Sequence, residues 1–248
     1  MNIQSYLGKF NTVSLSDIKS VTLMNRVDIK FAFSIQKLPA VINDLAEYYN
    51  LLEVDGNKIQ EYKSLYYDTV DRIFFLQHHN DRVNRNKVRF REYVGSGLVF
   101  LEVKLKNNKK KTIKKRIKVD SVENYLSKQN QDYIDALLGK ELDLRPQHWI
   151  NFNRITFADK LSKERLTIDL DLTFSNNIKS GSFEDVVIAE IKQDRHAKSS
   201  NFTRIAKKKH ILPIRLSKYC MSTISLNPSV KQNRFKKKVL FMNKLKSK

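Results

Sequence analysis

The chain has 248 residues, with 47 Lys and Arg against 26 Asp and Glu, giving a formal net charge of +21. Its hydrophobic fraction of 41% suits a folded protein rather than a disordered one, and its single cysteine, Cys220, leaves no internal disulfide and points to a reducing, cytoplasmic compartment. No stretch approaches the ~20 apolar residues of a membrane span, the opening MNIQSYLGKF lacks a signal peptide's apolar run, the histidines have no zinc-ligand spacing, and neither a GxxxxGK[ST] loop nor a GxGxxG turn occurs.

In chain order, the first clear pattern is MNRVDIKFAF, residues 24–33. Val27, Ile29, Phe31 and Phe33 point one way and Arg26, Asp28 and Lys30 the other, the period of a two-faced strand. SIQKLPAVINDLAEYY then reads as a helix. KIQEYKSLYYD, residues 58–68, is a Tyr-rich strand. NKVRFREY sets Lys87, Arg89 and Arg91 against Val88 and Phe90. GLVFLEVKLK sets Glu102, Lys104 and Lys106 against Leu101, Val103 and Leu105. The VGSG turn between these two predicts an antiparallel hairpin.

KTIKKRIKV, residues 111–119, sets Lys114, Arg116 and Lys118 against Ile113, Ile117 and Val119. SVENYLSKQNQDYIDALL predicts a helix opened by an Asp120-Ser121 cap. WINFNRITFAD and ERLTIDLDLTF are further strands. In the second, Leu166, Ile168, Leu170 and Leu172 oppose Arg165, Thr167, Asp169 and Asp171. DVVIAEIKQD sets Glu190 and Lys192 against Val187, Ala189 and Ile191. SNFTRIAKKKHIL, LSKYCMSTISL and a basic tail, KQNRFKKKVLFMNKLK, read as helices, the tail with a stripe of Phe235, Val239 and Met242.

Each strand alone fits an ordinary half-buried sheet. Together they repeat Arg and Lys at i, i+2 and i+4 on one face, an arrangement that repels itself unless an anion neutralises it. Arg recurs where Lys would serve solubility, and its planar fork matches phosphate oxygens. The fold class predicted is α+β: a closed eight-stranded antiparallel β tunnel with a charged lumen and the helices packed outside. Asp28, Glu102, Asp169, Asp171 and Glu190 on the same faces suit a divalent ion bridging carboxylate and phosphate oxygens.

RVDIKF at 26–31, SLYYDT at 64–69, KVRFREY at 87–93, FLEVKLK at 100–106, KKR at 114–116, NRITF at 153–157, RLTIDLDL at 165–172, VIAEIK at 187–192 and SKYC at 217–220 occur in that order. The set resembles the VTC domain of polyphosphate polymerases, within the triphosphate tunnel (CYTH-like) superfamily. The resemblance implies a VTC-like tunnel domain over 21–227, between an N-terminal segment, 1–20, and a basic tail, 228–248. It implies transfer of the γ-phosphoryl of ATP, or another triphosphate, onto inorganic polyphosphate, with Mn²⁺ or Mg²⁺. Carried over by motif, Lys30, Arg89, Arg91, Arg154, Arg165 and Lys218 are catalytic and, with Lys104 and Arg116, hold phosphates. Arg26 and Lys192 are second choices. Glu190 is the metal ligand, with Asp28, Glu102 and Asp169 weaker ones.

Hydrolytic relatives carry ExExK where this chain has Arg26, Asp28 and Lys30, which favours the polymerase branch; Asp28 and Phe31 stand where that branch usually has Glu and Tyr. No general base is assigned, because the chain's terminal phosphate is already anionic. Rows of cations through an open tunnel would let product thread out while ATP enters the other mouth. The alternatives are a triphosphatase in the same tunnel and a non-catalytic polyanion or nucleic-acid binder. A +21 chain attracts nucleic acid at low salt, but no RRM, KH or zinc-finger signature accompanies it, so no specific nucleic acid is expected. The remaining partner expected is a separate membrane channel protein, which would place the chain at the inner face of a membrane, with the tail helix either docked there or packed on the tunnel.

Overall fold

The computed structural model describes residues 3–19, 26–108, 112–197 and 199–246. Met24, Asn25 and Lys111, assigned to strands from their pattern, lie outside these. Short helices α1 (Gln4–Leu7) and α2 (Leu15–Lys19) flank β1 (Thr12–Val13). There follow β2 (Arg26–Ser34), α3 (Leu38–Tyr48), β3 (Tyr49–Leu52), β4 (Gln60–Asp68), α4 (Ile73–His79), β5 (Arg85–Tyr93), β6 (Leu98–Lys106) and β7 (Thr112–Val119). The second half runs α5 (Lys128–Leu138), β8 (Arg145–Asp159), β9 (Arg165–Ser175), β10 (Ser180–Phe183), β11 (Val186–Asp194), α6 (Asn201–Lys208), α7 (Lys218–Leu226) and α8 (Lys236–Lys246).

The eight predicted strands form one antiparallel path, β2-β11-β9-β8-β4-β5-β6-β7. β1, β3 and β10 extend it at the side. The path is strongly curled. Lys104 on β6 is influenced by Lys30 and Asp28 on β2, although five strands separate them in the order. In a flat sheet, strands spaced ~4.8 Å apart would hold these side chains nearly 30 Å from one another. The curl turns the charged face inward.

The curl does not close, which corrects the closed tunnel predicted from the alternation. β2 and β7 are the two edges, and no hydrogen-bonded pairing joins them among the described residues. Both edges carry cations: β7 is mostly exposed and bears Lys114, Lys115, Arg116 and Lys118, and β2 bears Arg26 and Lys30. Charged edges resist pairing. The sheet is a half-barrel.

Apolar rows cover the outside. Phe31, Phe33, Leu166, Ile168, Leu170, Ala189 and Ile191 pack with α1, α3 and α6. Val88, Phe90, Leu101 and Val103 pack with α5 through Ile134. α5 starts at Lys128, seven residues after the predicted Ser121, because Ser127 supplies the cap: its Oγ accepts from Asn130 N.

The helices do not all lie outside. Ala32, Tyr66, Phe152 and Ile188 share the inward face with the charged residues, and they pack on Tyr219, Cys220, Met221 and Ile224 of α7. This apolar cluster fills one end of the half-barrel. Its reach depends on Asp171, whose φ of +52° makes a bulge where Asn151 pairs with Thr173 but Asn153 with Leu170. One extra residue inverts the alternation. Leu172 and Phe174 therefore turn inward and Asp171 is exposed, contrary to the predicted parity. Phe235 and Met242 are buried in the same cluster and Val239 packs against it, so the tail's apolar stripe is covered by the protein itself.

Candidate functional site: a cation-lined concave face

Three carboxylates stand among the cations of the concave face. Glu102 Oε2 accepts from Arg89 Nε and a terminal nitrogen at 2.8 and 2.6 Å, and Oε1 accepts from Lys114. Asp169 accepts from Arg154 at 2.6 and 2.8 Å and from Lys218. Both carboxylates are 2% exposed. Burial alone would raise their pKa values, but the cations outweigh it and hold both well below the carboxylate range. Glu190 is more open and more loosely held, by Lys192 at 3.2 Å and Lys30 at 3.6 Å.

Arg91 is different. It is 7% exposed, and no ion pair is formed to it among the described residues. Its Nε donates to Ser64 Oγ at 3.2 Å, and its guanidinium lies over the rings of Tyr62 and Phe152. Arg154 and Lys218 approach the same stacked pair of rings. Burial and the neighbouring Arg89 lower the Arg91 pKa to about 10. The Glu102 carboxylate, bonded to Arg89 and Lys114 rather than to Arg91, offsets this only in part, and the guanidinium keeps N–H donors for an anionic ligand.

A second group of amines adjoins α7. Lys87 Nζ donates to Ser217 Oγ at 2.8 Å, the same oxygen that caps α7 by accepting from Cys220 N. Lys30 Nζ donates to Leu216 O at 3.3 Å. Lys104 is open to solvent within the trough yet enclosed by protein; enclosure, with Lys87 and Lys30, lowers its pKa to about 8.

The concave face thus brings together Lys30, Arg89, Arg91, Lys104, Arg154 and Lys218, with Glu102, Asp169 and Glu190 between them. Three predicted residues stand apart. Arg165 is held by Ile18 O at 2.9 Å and influenced by Arg26. Arg26 pairs with Asp28 at 3.3 Å. Arg116 lies exposed over the Phe100 ring on the edge strand. Lys87 and Lys114 share the predicted charged rows but were not assigned to the site; Tyr62, Tyr66 and Phe152 were missed because aromatics carry no parity signal of charge.

Among the described residues no three His, Cys, Asp or Glu converge as metal ligands. Glu102 and Asp169 are spoken for by their cations. Glu190 is the carboxylate free enough to turn toward an ion, and Mg²⁺-type sites commonly need only one or two carboxylates beside phosphate oxygens. A cavity of about 340 Å³ lies on the opposite side of the sheet, lined by Ile3, Gln4, Ile35, Ile59, Asn153, Leu170 and Asp171; it presents no basic side chain to an anion.

The VTC domain family model matches residues 25–227. No curated protein sequence matches the chain. Among solved structures, a proposed adenylyl cyclase from Hippeastrum with a dominant triphosphatase activity is 11% identical with a TM-score of 0.49, covering 84% of this chain and 98% of that one. A proposed adenylate cyclase from Vibrio parahaemolyticus is 11% identical with a TM-score of 0.46, covering 80% and 99%. A conserved protein of undescribed function from Pyrococcus furiosus is 15% identical with a TM-score of 0.41, covering 79% and 99%.

Proposed function

The chain belongs to the VTC domain family, and from that premise we propose that its concave face transfers the terminal phosphoryl group of ATP onto a growing inorganic polyphosphate chain. The observation that carries this reading is Arg91, a buried guanidinium in no direct ion pair among the described residues, set between Arg89 and Arg154 and only partly offset by Glu102. A phosphoryl group placed there would accept from its remaining N–H donors.

A terminal oxygen of the acceptor chain attacks the γ-phosphorus. The bond to the β-phosphate bridging oxygen breaks, and its electron pair leaves on ADP. Such transfers need charge stabilisation and in-line positioning more than covalent help. Arg89, Arg91, Arg154 and Lys218 hold the transferred group. Lys30 and Lys104 hold the neighbouring phosphates, and Arg165, Arg116, Arg26 and Lys192 take phosphates nearer the rim. Glu190 would hold the divalent ion, which supplies neutralisation of the phosphate oxygens. Glu102 and Asp169 are each engaged by two cations and so poorly placed to activate water, which supports a phosphate acceptor over hydrolysis.

With α7 filling one end, passage from mouth to mouth is not available. The chain leaves by the open mouth or through the gap between β2 and β7. The test is to incubate purified protein with ATP and Mn²⁺ and separate the products. Polymer with ADP supports the reading; orthophosphate without polymer replaces it with a triphosphatase; no turnover removes both.

A further inference from the structure

Arg89 is gripped on two sides. Glu102 takes Nε and one terminal nitrogen, and the other terminal nitrogen donates to Tyr66 Oη at 2.6 Å. Further N–H donors remain on both terminal nitrogens. Tyr66 is 6% exposed and cannot turn away, because its ring stacks on Tyr219 of α7, with centroids 5.0 Å apart at 18°. His148 stacks on Tyr219 at 5.2 Å and 6° and lies 6.3 Å from Tyr66. Burial, with Arg72, lowers His148 to about 3, so it sits neutral in the stack. Tyr219 Oη in turn donates to Asp68 Oδ2 at 2.7 Å, and Asp68 also accepts from the backbone N–H groups of Thr69, Phe74 and Phe75 at the start of α4.

These contacts make a strut from the α4 N-terminus through Asp68, Tyr219 and Tyr66 to the Arg89 guanidinium. Resting on the reading above, we propose that Tyr66 is a positioning residue that fixes the plane of Arg89, so that its free N–H donors face the phosphate group held beside Arg91. The ring sets the place and the hydroxyl sets the angle. Burial raises the Tyr66 pKa, but Arg89, Arg91 and Lys87 outweigh it and bring it to about 8. The hydroxyl is thus strongly coupled to the cations it faces.

The test is a double-mutant cycle read by calorimetric binding of tripolyphosphate. Tyr66→Phe keeps the stack and removes the hydroxyl; it should weaken binding about tenfold. In the Arg89→Gln background the same change should cost nothing further, since there is no guanidinium left to position. Equal loss in both backgrounds marks a merely structural role and overturns the proposal, as does wild-type affinity in Tyr66→Phe. Should Tyr66→Phe fail to fold, Tyr219→Phe, which only unties the strut from Asp68, is put through the same cycle. A wild-type protein that binds no tripolyphosphate fells the functional reading and this inference together. A wild type that binds, with an additive cycle, fells this inference alone.

Discussion

Arg154 grips Asp169 across the β8–β9 pair through Nε and a terminal nitrogen, while Lys218 reaches the same carboxylate from α7. One buried carboxylate therefore ties two strands and the inner helix together. Asp169→Asn would leave two buried cations unpaired and should cost about 3–5 kcal/mol of stability by urea unfolding. Tripolyphosphate should recover part of that loss; no recovery would mean the anion binds elsewhere.

The carboxylates set an acid limit. Folded Asp169 and Glu102 titrate below their ordinary values of 3.8 and 4.5. A depressed carboxylate stabilises the fold fully above its unfolded pKa, and that contribution is lost as pH falls toward the folded one. Unfolding followed by circular dichroism should therefore set in as pH drops below about 4, and Asp169→Asn should flatten the dependence there.

Arg91 separates stability from binding. Arg91→Met removes a buried charge that Glu102 offsets only in part, so the ligand-free protein should be as stable as the wild type or up to about 3 kcal/mol more so. The variant should also lose the rise in thermal midpoint that tripolyphosphate gives the wild type. A destabilised Arg91→Met that still responds to tripolyphosphate would contradict the reading of this residue.

Affinity should fall at alkaline pH. Lys104 in the folded protein titrates at about 8, well below the 10.5 of a free lysine. As pH rises through that value the trough loses charge and tripolyphosphate should bind more weakly. Over the same interval the ligand-free protein gains stability, because the unfolded chain still binds the proton. Lys104→Gln should remove part of that fall in titrations at constant salt, the rest following Lys114 and Tyr66, which also titrate at about 8.

The tail helix belongs to the fold. Phe235 is 3% exposed and touches the rings of Phe75 and His79. Phe235→Ala should cost about 3–5 kcal/mol. A neutral result would show the stripe to be only loosely applied.

The strands were legible because period two is a local property of backbone and side chain. All eight on the main path fall within a few residues of where alternation puts them. What covers each face is not local. The same inward row holds Lys30 and Ala32, and only α7, distant in sequence, decides that one end is apolar and the other charged. Asp171 reversed its strand's parity through a single left-handed residue that no pattern of hydrophobicity reveals. α4 escaped notice because Ile73–His79 is too short to display a helical period. Within the site, the charged rows located Arg89 and Arg91 and the family resemblance added Arg154, whereas Tyr66 became visible only through its contact with Arg89.

The walled-off end created by Tyr219, Cys220 and Met221 bears on traffic. A corridor with a single doorway cannot run as a conveyor, because arrivals and departures must take turns. On the proposed reading, spent nucleotide would have to back out before the next donor came in, and that exit would set the tempo of the cycle.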